Sequence, residues 1–278
     1  MKKTKQFEPY HINAERGDME GNNGIGRYIF LPGSNARAKT IAERFNNVTT
    51  KAHSRGHHLY LGSISTPRGE LAVASVASGM GCPSMEIILH ELYSLGAKRF
   101  LRVGTSGSLQ PQKVKLGHLI NVIGAVRDES TSQDYVPLSF PAISSYEFNT
   151  AIRQAANTLD IGQKFHSGIV HCKSSLYAKE FRKGPQAKMH DEYLNLLHRS
   201  GVLASEMETS TLLIQSNLYD HELSLAGVGP SYRVYAGAIL VAVTLSVGEV
   251  FQEIKAEGVE ADLIDLAVET IKTLGVSE

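Results

Sequence analysis

The residues most able to do chemistry in this 278-residue chain fall where apolar runs give way to glycine-rich loops. Gly33-Ser34-Asn35-Ala36-Arg37 follows one such run, Ser78-Gly79-Met80-Gly81-Cys82-Pro83-Ser84 a second, and Gly104-Thr105-Ser106-Gly107 a third. Glycines at strand ends let backbone N–H groups approach an anion, and a helix start adds a favourable dipole. Arg37, Arg102 and Arg55 offer planar guanidinium forks that suit phosphate oxygens. The bland alternative is that such turns are common and that surface arginines make weak ion pairs. Arg102 departs from it: its neighbours in Arg99-Phe100-Leu101-Arg102-Val103 read as buried, and arginine is seldom buried without a partner. Glu206-Met207-Glu208 stands at a strand-to-helix junction, where a carboxylate either complements the helix dipole or accepts hydroxyl hydrogen bonds from a sugar. A spacing of two keeps the carboxylates off one helical face, so they are expected to do different jobs.

Other chemistries fail on spacing. His90-Glu91 would begin a zinc-protease helix, but Ser94 stands where the second histidine belongs. Gly104-Thr105-Ser106-Gly107-Ser108 ends in serine where a nucleophile elbow needs glycine. No Gly-Lys-Ser/Thr is present, so there is no P-loop, and Gly79-Met80-Gly81 runs on to Ser84 instead of a third glycine. His53, His57 and His58 have no acidic or cysteine companion nearby and read as surface histidines. Lys+Arg and Asp+Glu balance at 28 each, which argues against a nucleic-acid or anionic-membrane partner. No apolar run is long enough for a membrane span, and the basic start lacks the apolar stretch of a secretory signal. Cys82 and Cys172 do not make a disulfide scaffold. A soluble cytoplasmic protein is expected.

The elements that must position these residues alternate along the chain. Strands are predicted at 27–31, 100–103, 119–126, 169–172, 201–203 and 236–245, with a hairpin at 59–65 and 70–77. A helix capped by Asn35 spans about 36–45, another carries Met85, Ile88, Leu89, Leu92 and Leu95, and Gly96 stops it. A helix follows Glu208 through Leu213, and the last helix carries Leu263, Ile264, Ala267, Ile271 and Leu274 and ends at Gly275. The segments 128–146 and 219–233 read as loops. This alternation predicts one domain over 1–278: a three-layer α/β/α sandwich with a central mixed sheet.

Taken together, LPGSNAR at 31–37, SGMGCPSMEIILHEL at 78–92, LRVGTSGSLQP at 101–111 and ASEMETSTLL at 204–213 resemble the nucleoside phosphorylases, and within them the uridine phosphorylases most. The similarity runs from about His11 to Thr244, with the four motifs in the family's order and spacing. It implies phosphorolysis of a nucleoside, most simply uridine plus phosphate giving uracil and ribose 1-phosphate, with phosphate as co-substrate and no cofactor. By resemblance, Gly33, Arg37, Arg102 and Thr105 hold phosphate, and Arg37, Arg102 and Thr105 act in catalysis. Arg55, and His11 in the N-terminal extension 1–25, match residues that cross to a neighbouring subunit's phosphate and ribose 5′-hydroxyl. A homodimer is therefore the minimum expected assembly. Met207 and Glu208 match the ribose pair, Glu208 binding the 2′- and 3′-hydroxyls. Gly107, Tyr177, Glu180, Arg182 and Glu206 are expected around the base. The sequence departs from the family in the base pocket: Glu180 stands for a Gln, Leu176 for a stacking Phe, and the run 242–246 lacks a late Arg. An ionised glutamate accepts hydrogen bonds only, so Glu180 can take a base N–H but cannot donate to a carbonyl. That departure keeps a purine or broad-specificity phosphorylase and a non-catalytic relative as alternatives. Gly56 stands where some members use a Glu to hold an interface cation, so no metal is expected.

Overall fold

Strand β1, Tyr28–Pro32, is buried along its whole length, so its alternating side chains feed two different cores. Tyr28 and Phe30 enter one, together with Ile41 of helix α1 (Asn35–Ala42), Phe148 and Ile152 of α3 (Tyr146–Thr158), and Leu263 and Ile271 of α6 (Glu260–Ser277). Ile29 and Leu31 enter the other, against Met85, Leu89 and Leu92 of α2 (Cys82–Ser94) and Leu212 and Leu213 of α5 (Thr209–Leu225). That is the three-layer arrangement expected from the alternation of elements, with a mixed sheet between two helical layers. This computed structural model describes residues 7–246, 252–254 and 258–277.

On one side of β1 the sheet continues through β4 (Gly69–Val76), β3 (Leu59–Thr66) and β2 (Asn46–Lys51). On the other lies β5 (Arg99–Ser108), parallel to β1. Here the sheet does something the periodicity does not foretell. Strand β10 (Tyr235–Leu245) pairs parallel with β5 and antiparallel with β6 (Leu119–Asp128), β6 pairs with β8 (Phe165–Lys173), β8 with β9 (Ala204–Glu206), and β9 returns to β5. The ring so closed has its own small core of Ile120, Val122, Val170, Leu203 and Leu240. Short β7 (Ala142–Ile143) edges β6, β11 (Gln252–Glu253) edges β10, and α4 (Ala187–Arg199) packs over Leu109 through Leu194 and Leu197.

Several boundaries differ from expectation for physical reasons. Gly104–Ser108, read as a loop, prolongs β5, because it pairs with Leu240–Leu245 and, at Gly107 and Ser108, with Ser205 and Ala204. The strand predicted at 201–203 forms three residues later, at Ala204–Glu206. Residues 219–225, read as loop, continue α5: Tyr219 stacks on Tyr93 of α2 at 3.8 Å, and Asp220 accepts from Arg233 Nε at 2.6 Å. Ser34, not Asn35, caps α1, its hydroxyl accepting the Arg37 N–H at 3.3 Å. Helix α6 passes through Gly275, whose lack of a Cβ leaves room for Leu71. Helices α3 and α4 carry apolar residues at helical spacing that the sequence reading passed over. Among the described residues, no helix is long and apolar enough to cross a membrane.

Candidate active site

The site assembles where the carboxyl end of β5 meets β9 in the closed part of the sheet. Arg102 leaves β5 almost fully buried, and its side chain lies along the strand over Gly104. A Cβ at position 104 would stand 2.9 Å from Arg102 Nη2 and 3.0 Å from its Cζ, so only glycine leaves the guanidinium this path. Arg102 Nε donates to Glu206 at 3.0 Å and Nη2 to Glu208. Nη1 is buried and has no hydrogen-bond partner in the described structure. Buried donors are nearly always satisfied, so a buried guanidinium nitrogen without a partner is a feature that needs explaining.

The two glutamates do divide their work, as their spacing requires. Glu206 ends β9, and its carboxylate accepts the backbone N–H groups of Glu208 at 2.9 Å and Thr209 at 3.0 Å, which open α5. It therefore satisfies unpaired helix-start donors and anchors Arg102 together. Burial alone would raise its carboxyl, but Arg102 and those N–H groups hold it below the usual glutamate range. Glu206, expected at the base, thus has both oxygens directed at Arg102 and the α5 backbone. Glu208 accepts from Gly81 N–H at 2.6 Å through its other oxygen, tying the start of α5 to the start of α2. Gly81 has φ +83°, which glycine adopts without strain. Burial, reinforced by the neighbouring Glu206 charge and opposed by Arg102, pushes the Glu208 carboxyl above its ordinary range.

Beside this node lies a second charged cluster. Glu180, on a wide helical turn at Leu176–Glu180, forms an ion pair with Lys173 at the end of β8. Its other oxygen accepts the Ser246 hydroxyl at 2.5 Å and the Thr244 hydroxyl at 3.3 Å. Gly107 lies directly beneath, since a Cβ there would overlap both Glu180 Oε1 and Ser246 Oγ. Arg182, in a left-handed conformation at φ +53°, donates to the Ser246 carbonyl at 2.7 Å and pairs with Asp191 at 2.6 Å. Tyr177 is exposed and meets Phe181 edge-on. Met207 is half-buried, its carbonyl accepting from Cys82 Sγ at 3.2 Å. Cys82 and Cys172 are buried free thiols with sulfurs 3.6 Å apart, and burial pushes the Cys172 thiol up.

The remaining candidates surround this centre. Gly33 precedes the Ser34 cap, and Arg37 in the first turn of α1 is held by Glu260 of α6, its Nε at 2.9 Å. Thr105 follows Gly104 on β5, opposite Val241. Arg55 and His11 lie together in a surface cleft of about 490 Å³ that also contains Met80 and Ile87. Arg55 is exposed, its guanidinium 5.4 Å above the Tyr10 ring. Glu91 of α2 staples the N-terminal segment: its buried carboxylate accepts the N–H groups of Tyr10, His11 and Ile12 and meets His11 Nδ1 at 2.7 Å. The roles of Lys173, Glu91, Thr244 and Ser246 are not given by the sequence pattern, because the partners that complete each contact come from other elements. Among the described residues, no group of three His, Cys, Asp or Glu could hold a metal ion.

The family model of the phosphorylase superfamily matches residues 27–226. The chain belongs to the phosphorylase superfamily. The matched segment contains every candidate residue named above except His11, Glu91's N-terminal partners and the residues beyond 226. A uridine phosphorylase of Treponema pallidum (strain Nichols) is 33% identical over 276 residues, covering 95% of this chain and 93% of that protein. One from Thermococcus kodakarensis is 32% identical over 219 residues, 78% of this chain and 74% of that protein. A guanosine phosphorylase of Halorubrum lacusprofundi is 28% identical over 202 residues, 73% of this chain and 74% of its own.

Proposed function

We propose that the protein is a pentosyltransferase that cleaves uridine with phosphate, giving uracil and ribose 1-phosphate. The observation that carries this reading is the buried Arg102 fork, with one nitrogen unpartnered, set beside the buried carboxylate of Glu208. An anion oxygen satisfies the first, and vicinal sugar hydroxyls suit the second. Uridine phosphorylases at 33% and 32% identity support the same substrate.

In this reading Gly33, Arg37, Arg102 and Thr105 hold phosphate, Arg37 exchanging Glu260 for the incoming anion. Met207 packs on the ribose and Glu208 accepts its 2′- and 3′-hydroxyls. Gly107, Glu180, Arg182 and Tyr177 border the base, while Glu206 acts through Arg102. Arg55 and His11, gathered in one surface cleft, serve the site of a second copy, which makes a homodimer the active unit.

The chemistry is displacement at the ribose C1′. A phosphate oxygen forms the new bond as the bond to the base N1 breaks, and that electron pair leaves with the base. Positive charge grows on the ribose and negative charge on the base, so the bound phosphate is both nucleophile and counter-charge. Positioning and preorganised electrostatics supply the acceleration, and no cofactor is called on. We place the protein in the cytoplasm.

A guanosine-type substrate is the second reading, favoured by Glu180, which suits the N1–H of a purine lactam as well as the N3–H of uracil. Competition among uridine, inosine and guanosine separates the two. Arg102→Ala tests the phosphate assignment: the rate is expected to fall about 10²–10³-fold, with a raised KM for phosphate. An unchanged phosphate dependence in the folded variant removes Arg102 from the site.

A further inference from the structure

Lys173 and Glu180 are 1% and 3% exposed, a buried ion pair at the edge of the site. Packed apolar side chains of similar volume commonly stabilise a fold as well as such a pair does, so stability is a weak reason for its presence. Its chemistry is more informative. A carboxylate offers about four lone-pair positions. Lys173 on one oxygen, and the Ser246 and Thr244 hydroxyls on the other, leave room for one further donor. Lys173 has no donor to give a ligand: besides Glu180, its ammonium meets Ser205 Oγ at 3.0 Å and the Glu206 carbonyl at 3.5 Å. Ser205 is hydrogen-bonded to the buried ring of His171, whose other nitrogen meets Asp128 at 2.9 Å. Lys173 is thus pinned from β6, β8 and β9, while Gly107 fixes how closely Glu180 approaches β5.

We propose that Lys173 is a positioning residue that sets base specificity, by holding Glu180 as an ionised, acceptor-only group above Gly107. The site then selects bases that carry an N–H at the edge meeting Glu180. Uracil presents N3–H there, and hypoxanthine and guanine present N1–H. Cytosine N3 and adenine N1 are acceptors, and would face the carboxylate lone pair to lone pair. This inference rests on the phosphorolytic reading and adds a residue to it.

The test is the ratio of kcat/KM for uridine over cytidine. In Lys173→Met the buried carboxylate loses its counter-charge and takes up a proton, so it offers an O–H to cytosine N3. The ratio is expected to fall at least about tenfold, the scale of one hydrogen bond to a charged group. Adding Glu180→Gln leaves no buried charge unpaired, but an amide carries an N–H donor beside its carbonyl acceptor and so can also meet cytosine N3. The double variant should therefore keep the ratio at least about tenfold below the native value. A lysine that merely supports the fold lowers turnover of all nucleosides together and leaves the ratio fixed, which overturns the proposal. If Lys173→Met does not fold, the double variant decides alone: a lowered ratio supports the pair's role in selecting the base, and a native ratio refutes it. Native protein that releases no base from uridine, inosine or guanosine in phosphate refutes the phosphorolytic reading instead, and that result is in hand before any variant is compared.

Discussion

Adding a single methyl group at Gly104 probes the site without removing any group that meets substrate. The new Cβ would lie 2.9 Å from Arg102 Nη2, 3.0 Å from Arg102 Cζ and 2.9 Å from Leu240 Cδ2. Ordinary contact begins near 3.4 Å, so the guanidinium must retreat by about 0.5 Å. It cannot do so freely, because Nε is held by Glu206 at 3.0 Å and Nη2 by Glu208. A shift of that size stretches the Glu206 bond to the edge of hydrogen-bonding distance. Overpacking of this kind costs about 1–3 kcal/mol, which at about 2–4 °C per kcal/mol lowers Tm by roughly 2–12 °C. Misplacing a group that positions a reactant by about 1 Å can cost 10²-fold, so half that shift is expected to raise the KM for phosphate about tenfold. Steady-state kinetics with phosphate varied at saturating uridine, beside a thermal melt, read both quantities. A Gly104→Ala protein with lowered Tm and native KM for phosphate would show that the placement of Arg102 is immaterial to phosphate. Native values of both would refute the packing argument itself. Gly107→Ala is the companion: its Cβ meets Glu180 and Ser246, so it should act on KM for the nucleoside and spare KM for phosphate.

Two further outcomes follow from named contacts. Glu208 must be ionised to accept the ribose hydroxyls, and burial raises its carboxyl above the ordinary glutamate range in the folded protein. As pH falls through that raised range the acceptor is lost, so kcat/KM for the nucleoside should show an acid limb above the ordinary glutamate range that Glu208→Gln removes. A native limb that is unchanged in Glu208→Gln contradicts this assignment. Glu91→Ala removes the carboxylate that accepts the N–H groups of Tyr10, His11 and Ile12. Hydrogen exchange at those amides should accelerate by at least about tenfold, with buried charged hydrogen bonds worth roughly 1.5–3 kcal/mol each; unchanged protection would show that the segment is held elsewhere.

How much of this was legible in the sequence depends on how far apart the cooperating residues lie. Gly33 and Arg37 fall within five residues, and type and order suffice to place them where a strand turns into a helix, although the cap there is Ser34 and not the expected Asn35. Arg102 stood out because arginine amid an apolar run demands a partner, and the structure supplies Glu206 and Glu208. The division of labour between those glutamates was also legible, though which faced Arg102 through Nε was not. Gly104–Ser108 misled, because a glycine- and serine-rich stretch has no strand propensity of its own. Pairing with β10 and β9 overrides that local preference. The closure of the sheet through β5 and β10 leaves no periodic trace, since period-2 patterning says which residues are buried and not which strand lies alongside. Lys173 was illegible for the same reason: Glu180 is seven residues away, but Ser205 and the hydroxyls of Thr244 and Ser246 that complete the cluster come from other strands. The loop reading of 219–225 failed because its polar residues face solvent from a helix whose buried side stacks Tyr219 on Tyr93.

The central claim is that the buried arginine fork activates phosphate against a nucleoside. Its most direct test is to incubate the native protein with uridine, with and without phosphate, and to follow uracil by absorbance and the sugar product by phosphorus NMR. The account predicts uracil release that requires phosphate, with a stoichiometric new resonance from ribose 1-phosphate. Uracil release at the same rate without phosphate, yielding free ribose, would contradict it.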